Sequence, residues 1–247
     1  MSLIINNATD ICESTNATPL SALLEATCRA RDLRVDRLRS NLVSVAVGEH
    51  QLIFAGCSGP STSRVAITLG KDIAWLRRTL EIKGVPVPLT VKIPEKARAV
   101  ARTYLEDLGE PARAWWIDQP QTSVTLTVED FKTGWKELLE HRPEDPKAQI
   151  VFEPADLGPT EPVTVVFGSV VNASGDLTND ERDLAMRTVS IIPGAEVAEV
   201  HLTRLPKAGT LVSHVDIKLD SWNVTPYREG SEKIITAIVD GEFSRIN

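Results

Sequence analysis

Glu199, His201, His214, Asp216 and Asp220 are the residues of this chain whose types and spacing could do metal chemistry. Imidazole nitrogens and carboxylate oxygens are common ligands of divalent metals. Residues 195–205 and 210–219 read as two strands joined about residues 206–209. A turn there sets Glu199 opposite Asp216, His201 opposite His214 and Thr203 opposite Val212. The two-residue period of a strand puts them all on one face. Val200, Leu202, Leu211, Val215, Ile217 and Leu219 fill the other, core-facing side, and Asp220 extends the polar one. Facing carboxylates repel unless a cation or water lies between them. The face therefore reads either as a divalent-metal site or as a solvated sheet face without a ligand. A one-residue slip in register would part the two histidines.

Trp115 and Trp116 adjoin in an alternating strand, which would turn one ring in and one out. They read either as an aromatic contact for a ligand or partner, or as packing against Trp135. Cys12, Cys28 and Cys57 show no CxxC or Cys/His ligand spacing, so three reduced thiols are expected rather than a disulfide framework or a structural zinc.

The formal net charge is -7. An acidic chain gains little from the phosphate neutralisation that drives nucleic-acid binding, so no nucleic-acid partner is expected. Arg29, Arg31, Arg34, Arg37 and Arg39 crowd together, but Asp32 and Asp36 dilute them into a solvated helix end running into a strand. No apolar run reaches membrane-spanning length and the first residues carry no basic leader, so a cytoplasmic, non-membrane protein is expected.

The elements that must position these residues follow from periodicity. Residues 1–18 are polar and read as irregular. Residues 19–31 read as a helix, 33–38 as a strand, and 42–47 with 51–55 as a hairpin about Gly48-Glu49. Residues 56–63 form a Gly/Pro/Ser loop, and 64–82 read as one helix ending before Gly84-Val85-Pro86-Val87-Pro88. A regular block follows: strand 89–93, helix 94–108 with Pro first and Gly109 last, strands 112–117 and 124–128, helix 129–141 and strand 150–153. The inward stripe of helix 94–108 is Ala97, Val100, Ala101, Tyr104, Leu105 and Leu108. This is a β-α-β-β-α-β, split βαβ arrangement. Two strands within 162–173, a helix opened by the capping box Thr178–Glu181, the hairpin, and a last helix carrying Ile234, Ile235, Ile238 and Val239 complete the chain. The fold class is α/β (α+β): two lobes with mostly antiparallel sheets after a short N-terminal α/β segment. The linear segments are 1–58, a connecting helix 59–88, a small lobe 89–157 and a C-terminal lobe 158–247.

Several of these segments, in order, resemble the ATP-grasp superfamily, and most of all its cyanophycin synthetase and glutathione synthetase-like carboxylate–amine ligases. The likeness runs over about residues 20–243. It is carried by Thr62-Ser63-Arg64-Val65-Ala66 with Asp72, Leu80 and Gly84-Val85-Pro86-Val87-Pro88, by the β-α-β-β-α-β block, by Ile150-Val151-Phe152-Glu153 through Gly158, and by Asn223-Val224-Thr225-Pro226. The resemblance implies acyl-phosphate chemistry with ATP and Mg²⁺, a small lobe that clamps ATP, cations around the phosphates, and carboxylates with an amide oxygen on the metal. By the same resemblance Glu153 is the candidate nucleotide contact at the hinge. Asp220 and Asn223, with His201, His214 and Asp216, are the candidate metal ligands.

The other matching positions depart from the pattern. Ile73 stands where a lysine is expected, and Trp115 or Trp116 where a second is. The stretch that should be a glycine-rich cover is Asp118-Gln119-Pro120-Gln121-Thr122-Ser123. The expected arginine is missing from residues 162–166, the first metal-binding aspartate falls at His201, and the closing glutamate at Ser221. Losing one such donor can cost ~3 kcal/mol in the transition state. The sequence therefore points to a degenerate, non-catalytic protein acting by binding or assembly, with a protein partner or as a homo-oligomer, possible also as a virus-encoded component. No cofactor is expected on that reading. Mg²⁺ and ATP belong to the alternative, an active carboxylate–amine ligase.

Overall fold

The computed structural model describes residues 2–145, 147–206 and 209–246. In chain order the elements are α1 (Leu3–Thr15), α2 (Pro19–Arg29), β1 (Val35–Arg39), β2 (Leu42–Val47), β3 (His50–Ala55), α3 (Arg64–Gly70), α4 (Ile73–Ile82), β4 (Val91–Pro94), α5 (Arg98–Leu108), β5 (Ala112–Trp116) and β6 (Val124–Leu126). Then come α6 (Phe131–Glu140), β7 (Gln149–Pro154), β8 (Thr160–Val166), β9 (Ser169–Ala173), α7 (Asn179–Ile191), β10 (Val197–Leu205), β11 (Gly209–Asp216) and α8 (Ser231–Ser244). The sheets have the orders β1-β2-β3, β11-β10-β8-β9 and β4-β7-β5-β6. All pairings with a defined register are antiparallel. The α+β class and the β-α-β-β-α-β order read from the sequence are both present.

The chain forms two compact units that cut across the linear segments. One is Met1–Lys71, Glu161–Leu202 and His214–Asn247; the other is Asp72–Thr160 and Thr203–Ser213. The β10–β11 hairpin contributes to both. Lys207 and Ala208, in its expected turn, lie outside the described residues.

The first unit buries α2, α8 and β2 around Leu23, Leu24, Val43, Val45, Ile235 and Ile238. Residues 3–15 are helical here, where polar composition had suggested irregular chain. Ser2 caps α1 by accepting from Ile5 N–H at 3.2 Å, and Ala8 is fully buried against the same core. Tertiary packing overrides a weak local signal. Cys28 and Cys57 are buried and Cys12 half-buried, all unbridged, and burial pushes the Cys28 and Cys57 thiols up to about 12.

The second unit packs α5 and α6 on one face of its sheet. Ala101 and Leu105 meet Trp135, Leu138, Ile150 and Phe152 there. Val100, read as part of the inward stripe, is exposed. Both tryptophans are buried, rather than one in and one out. Trp116 joins the helix-covered core and donates its indole N–H to Leu138 O at 2.8 Å, which satisfies the one polar atom it buries. The helix expected over 64–82 is two helices. Asp72 breaks it by capping α4, accepting from Trp75 N–H at 3.0 Å.

The capping box of α7 is fully formed, with Thr178 Oγ1 accepting from Glu181 N–H and Glu181 accepting from Thr178 N–H. Thr178→Ala should lower unfolding free energy by about 1 kcal/mol, and Thr178→Ser by much less, in urea denaturation.

Candidate functional site

In the second unit a buried ion pair gathers the polar groups. Arg77 lies on the inner face of α4 with Ala74 and Leu80. Its Nη1 donates to Glu153 Oε2 and to Thr90 Oγ1, each at 2.5 Å, and its Nη2 donates to Ser213 O at 2.5 Å. Arg113 brings Nε to 3.4 Å from Glu153 Oε1 and lays its guanidinium over Trp115, 4.7 Å from the ring centroid. Burial pushes the Arg77 pKa down, and the Glu153 charge and hydrogen bond oppose that. Burial, helped by the Glu153 charge, raises Tyr104 to about 12. Glu153, the candidate nucleotide contact, is therefore the hub of an internal cluster. Arg77 went unnoticed in the sequence, although one arginine on an otherwise apolar helix face was the available signal. Lys92 pairs with Asp72 at 2.9 Å. Residues 120–122, in the stretch expected to cover phosphates, form a 3-10 turn beginning at Pro120.

In the first unit the hairpin face carries the other candidates. His201 and His214 meet edge to face at 5.3 Å between centroids, so they share a face as the expected register requires. Glu199 lies beneath them, 1% exposed. It accepts from His201 Nε2 and from Ser221 Oγ, each at 2.9 Å, and from Trp222 Nε1. Burial pushes its carboxyl up, but these three donors outweigh burial and leave the pKa below its ordinary value. Asp216 accepts from Lys218 N–H at 3.0 Å and Ser221 N–H at 3.1 Å. Burial, with the charges of Asp220 and Glu199, raises its pKa.

Asp220 lines a cavity of about 300 Å³ with His214, Asp216 and Lys218, and it also borders, with Asn223, a cavity of about 220 Å³ whose lining includes Thr18, Asn41, Ser58 and Lys218. Asn223 Oδ1 accepts from Leu20 N–H at 3.1 Å, and Asp220 has Lys218 Nζ at 3.9 Å. Of the five expected metal ligands, His214, Asp216 and Asp220 thus line one cavity, His201 meets His214, and Asn223 lies with Asp220 at the other. Among the described residues no three His, Cys, Asp or Glu side chains gather in a way that could hold a metal ion. A larger groove of about 780 Å³ opens beside Glu199 and Trp222, rimmed by Asn172, Arg228, Glu229 and Lys233. Among the described residues no helix is long and apolar enough to cross a membrane.

No family model and no curated protein matches this sequence. Solved structures do. The ATP-grasp ligase PsnB, in complex with its minimal precursor, superposes with a TM-score of 0.57 at 12% identity, over 73% of this chain and 64% of that one. The D-cycloserine synthetase DcsG gives 0.60 at 16% identity, over 76% and 74%. A bifunctional glutathione synthetase from Pasteurella multocida gives 0.63 at 12% identity, over 93% of this chain and 44% of that one. The chain thus carries the ATP-grasp fold and spans under two thirds of the length of PsnB and of the glutathione synthetase.

Two outcomes follow. Removing one partner from a buried ion pair strands the other, so Arg77→Met or Glu153→Leu alone should cost about 3–5 kcal/mol. The double substitution should cost less than the sum, with a coupling of about 0.5–3 kcal/mol in a denaturation cycle. Carboxyl titration by NMR should find Asp216 above and Glu199 below their unfolded values. The folded chain holds the Asp216 proton more tightly, so the contribution of Asp216 to stability falls as pH rises through its folded pKa. Glu199 has the opposite sign: its contribution is present above its unfolded pKa and is lost as pH falls through the folded one.

Proposed function

We propose that this chain is a non-catalytic protein of ATP-grasp fold that acts by binding, as a component of a protein assembly or homo-oligomer. The observation that carries the reading is the state of Glu153. A carboxylate that recognises a nucleotide must have lone pairs to offer, and this one is held on one oxygen by Arg77 and faces Arg113 on the other. The neighbouring positions agree. Where the resemblance expects phosphate-binding lysines stand Ile73 and two buried indoles, and Asp118 adds a negative charge to the loop expected to cover phosphate. Like charges at 4 Å repel by about 1 kcal/mol in water, and by more where water is excluded. The proposal includes a cytoplasmic location and no nucleic-acid partner, in keeping with the net charge of -7.

The second reading is an ATP-dependent carboxylate–amine ligase. It is favoured by the structural neighbours, which are ligases and synthetases, and by Lys92 and Arg113, cations that could exchange their present partners for phosphate. Calorimetry with ATP, with and without Mg²⁺, should give no heat of binding. A phosphate-release assay with amino acids or peptides added should stay at background. Steady release that disappears in Asp220→Ala would establish the ligase instead.

A further inference from the structure

Among the described residues Glu199 is the most enclosed carboxylate. An ionised carboxylate is not kept out of water without partners of opposite sign or strong donors. In ATP-grasp ligases, as the resemblance implies, the strands that correspond to β10 and the closing segment hold Mg²⁺. The donor set here does not fit that ion. Mg²⁺ asks for oxygen ligands at about 2.0–2.1 Å in near-octahedral array. Both Asp216 oxygens accept backbone N–H groups. The Asn223 oxygen accepts from α2. Asp220 is largely in solvent beside Lys218. Both Glu199 oxygens already face donors.

We propose that the cage formed by His201, Ser221 and Trp222 around Glu199 stands in for a divalent cation in this fold, joining β10 to the turn at residues 220–222 by protein donors alone. The turn is anchored from both strands of the hairpin: Ser221 Oγ and Trp222 Nε1 reach Glu199 on β10, and Ser221 N–H reaches Asp216 on β11. Arg228 adds a further positive layer, its guanidinium 5.6 Å from the Trp222 ring centroid. The arrangement supplies N–H and O–H dipoles, with one imidazole, where a ligase would place a metal, and protein donors take three of the carboxylate's roughly four acceptor sites.

The test is a Mn²⁺ titration of the full chain without nucleotide, read by electron paramagnetic resonance and by thermal melting. The native chain should bind no Mn²⁺ at millimolar concentration, and its melting midpoint should not move. The pair Ser221→Ala and Trp222→Phe should lower the midpoint and gain Mn²⁺ binding about tenfold or more tighter than the native chain. Adding Glu199→Gln to that pair should abolish the gain. If the pair does not fold, Ser221→Ala alone, at a half-buried site, should show the same gain in smaller degree. Mn²⁺ held tightly by the native chain overturns the cage, as does a donor-depleted variant that melts like the native chain and ignores Mn²⁺. The proposal is separable from the binding role: phosphate release with Mg²⁺ and ATP, by a native chain that binds no Mn²⁺ without nucleotide, would overturn that role alone, and native Mn²⁺ binding without phosphate release would overturn the cage alone.

Discussion

The buried pairing of Arg77 with Glu153 is the constraint on which the second unit depends. Taking two such ions out of water costs several kcal/mol each, and close geometry with further hydrogen bonds must offset it. Arg77 meets that demand with three acceptors, drawn from β7, from Thr90 just before β4, and from Ser213 on β11. One guanidinium thereby fixes α4 against β7, β11 and the residue that leads into β4. Its Nε is buried with no partner, so the cluster is not fully satisfied. That residue of unmet hydrogen bonding is tolerable because the planar fork of arginine is already spent at its two outer nitrogens.

The same economy recurs in the first unit. Glu25 is clasped by Arg29 and Arg37, each at 2.5 Å. Glu242 on α8 accepts from the backbone N–H and hydroxyl of Ser61, closing the Gly/Pro/Ser loop onto the helix. Tyr227 donates to Pro19 O at 2.9 Å, next to the Leu20–Asn223 bond, so α2 and the closing segment share their polar atoms. In each case a buried or half-buried polar group is satisfied by a partner far away in the sequence or on a neighbouring element.

How far the sequence reveals this depends on whether a residue acts locally. The β-α-β-β-α-β block follows from periodicity, because each helix and strand buries one stripe, and the α7 capping box follows from two side chains three residues apart. The approach of His201 to His214 follows from strand alternation once the turn is placed. Helix α1 was illegible because its support comes from packing rather than composition. The break at Asp72 was hidden because aspartate is tolerated inside a helical pattern yet also caps one. The role of Arg77 was hidden because Glu153 lies 76 residues away. Asn223 looked like a ligand from its motif, and only the fold shows its oxygen committed to Leu20.

The discontinuity of the two units has a consequence for how the chain is made. A ribosome releases residues 72–160 as one uninterrupted piece, but the hairpin segment that supplies Ser213 to Arg77 belongs to residues 203–213 and emerges later. Until then Arg77 and Glu153 have each other but lack the carbonyl that completes the guanidinium. The first unit waits longer still, since α2 has been outside the tunnel for some two hundred residues before α8 arrives to cover it. Long sequence separations of this kind slow the closing of native contacts and keep apolar faces uncovered during synthesis. Vectorial emergence therefore leaves the part of α2 that meets α8 uncovered far longer than the part that meets α1 and β2.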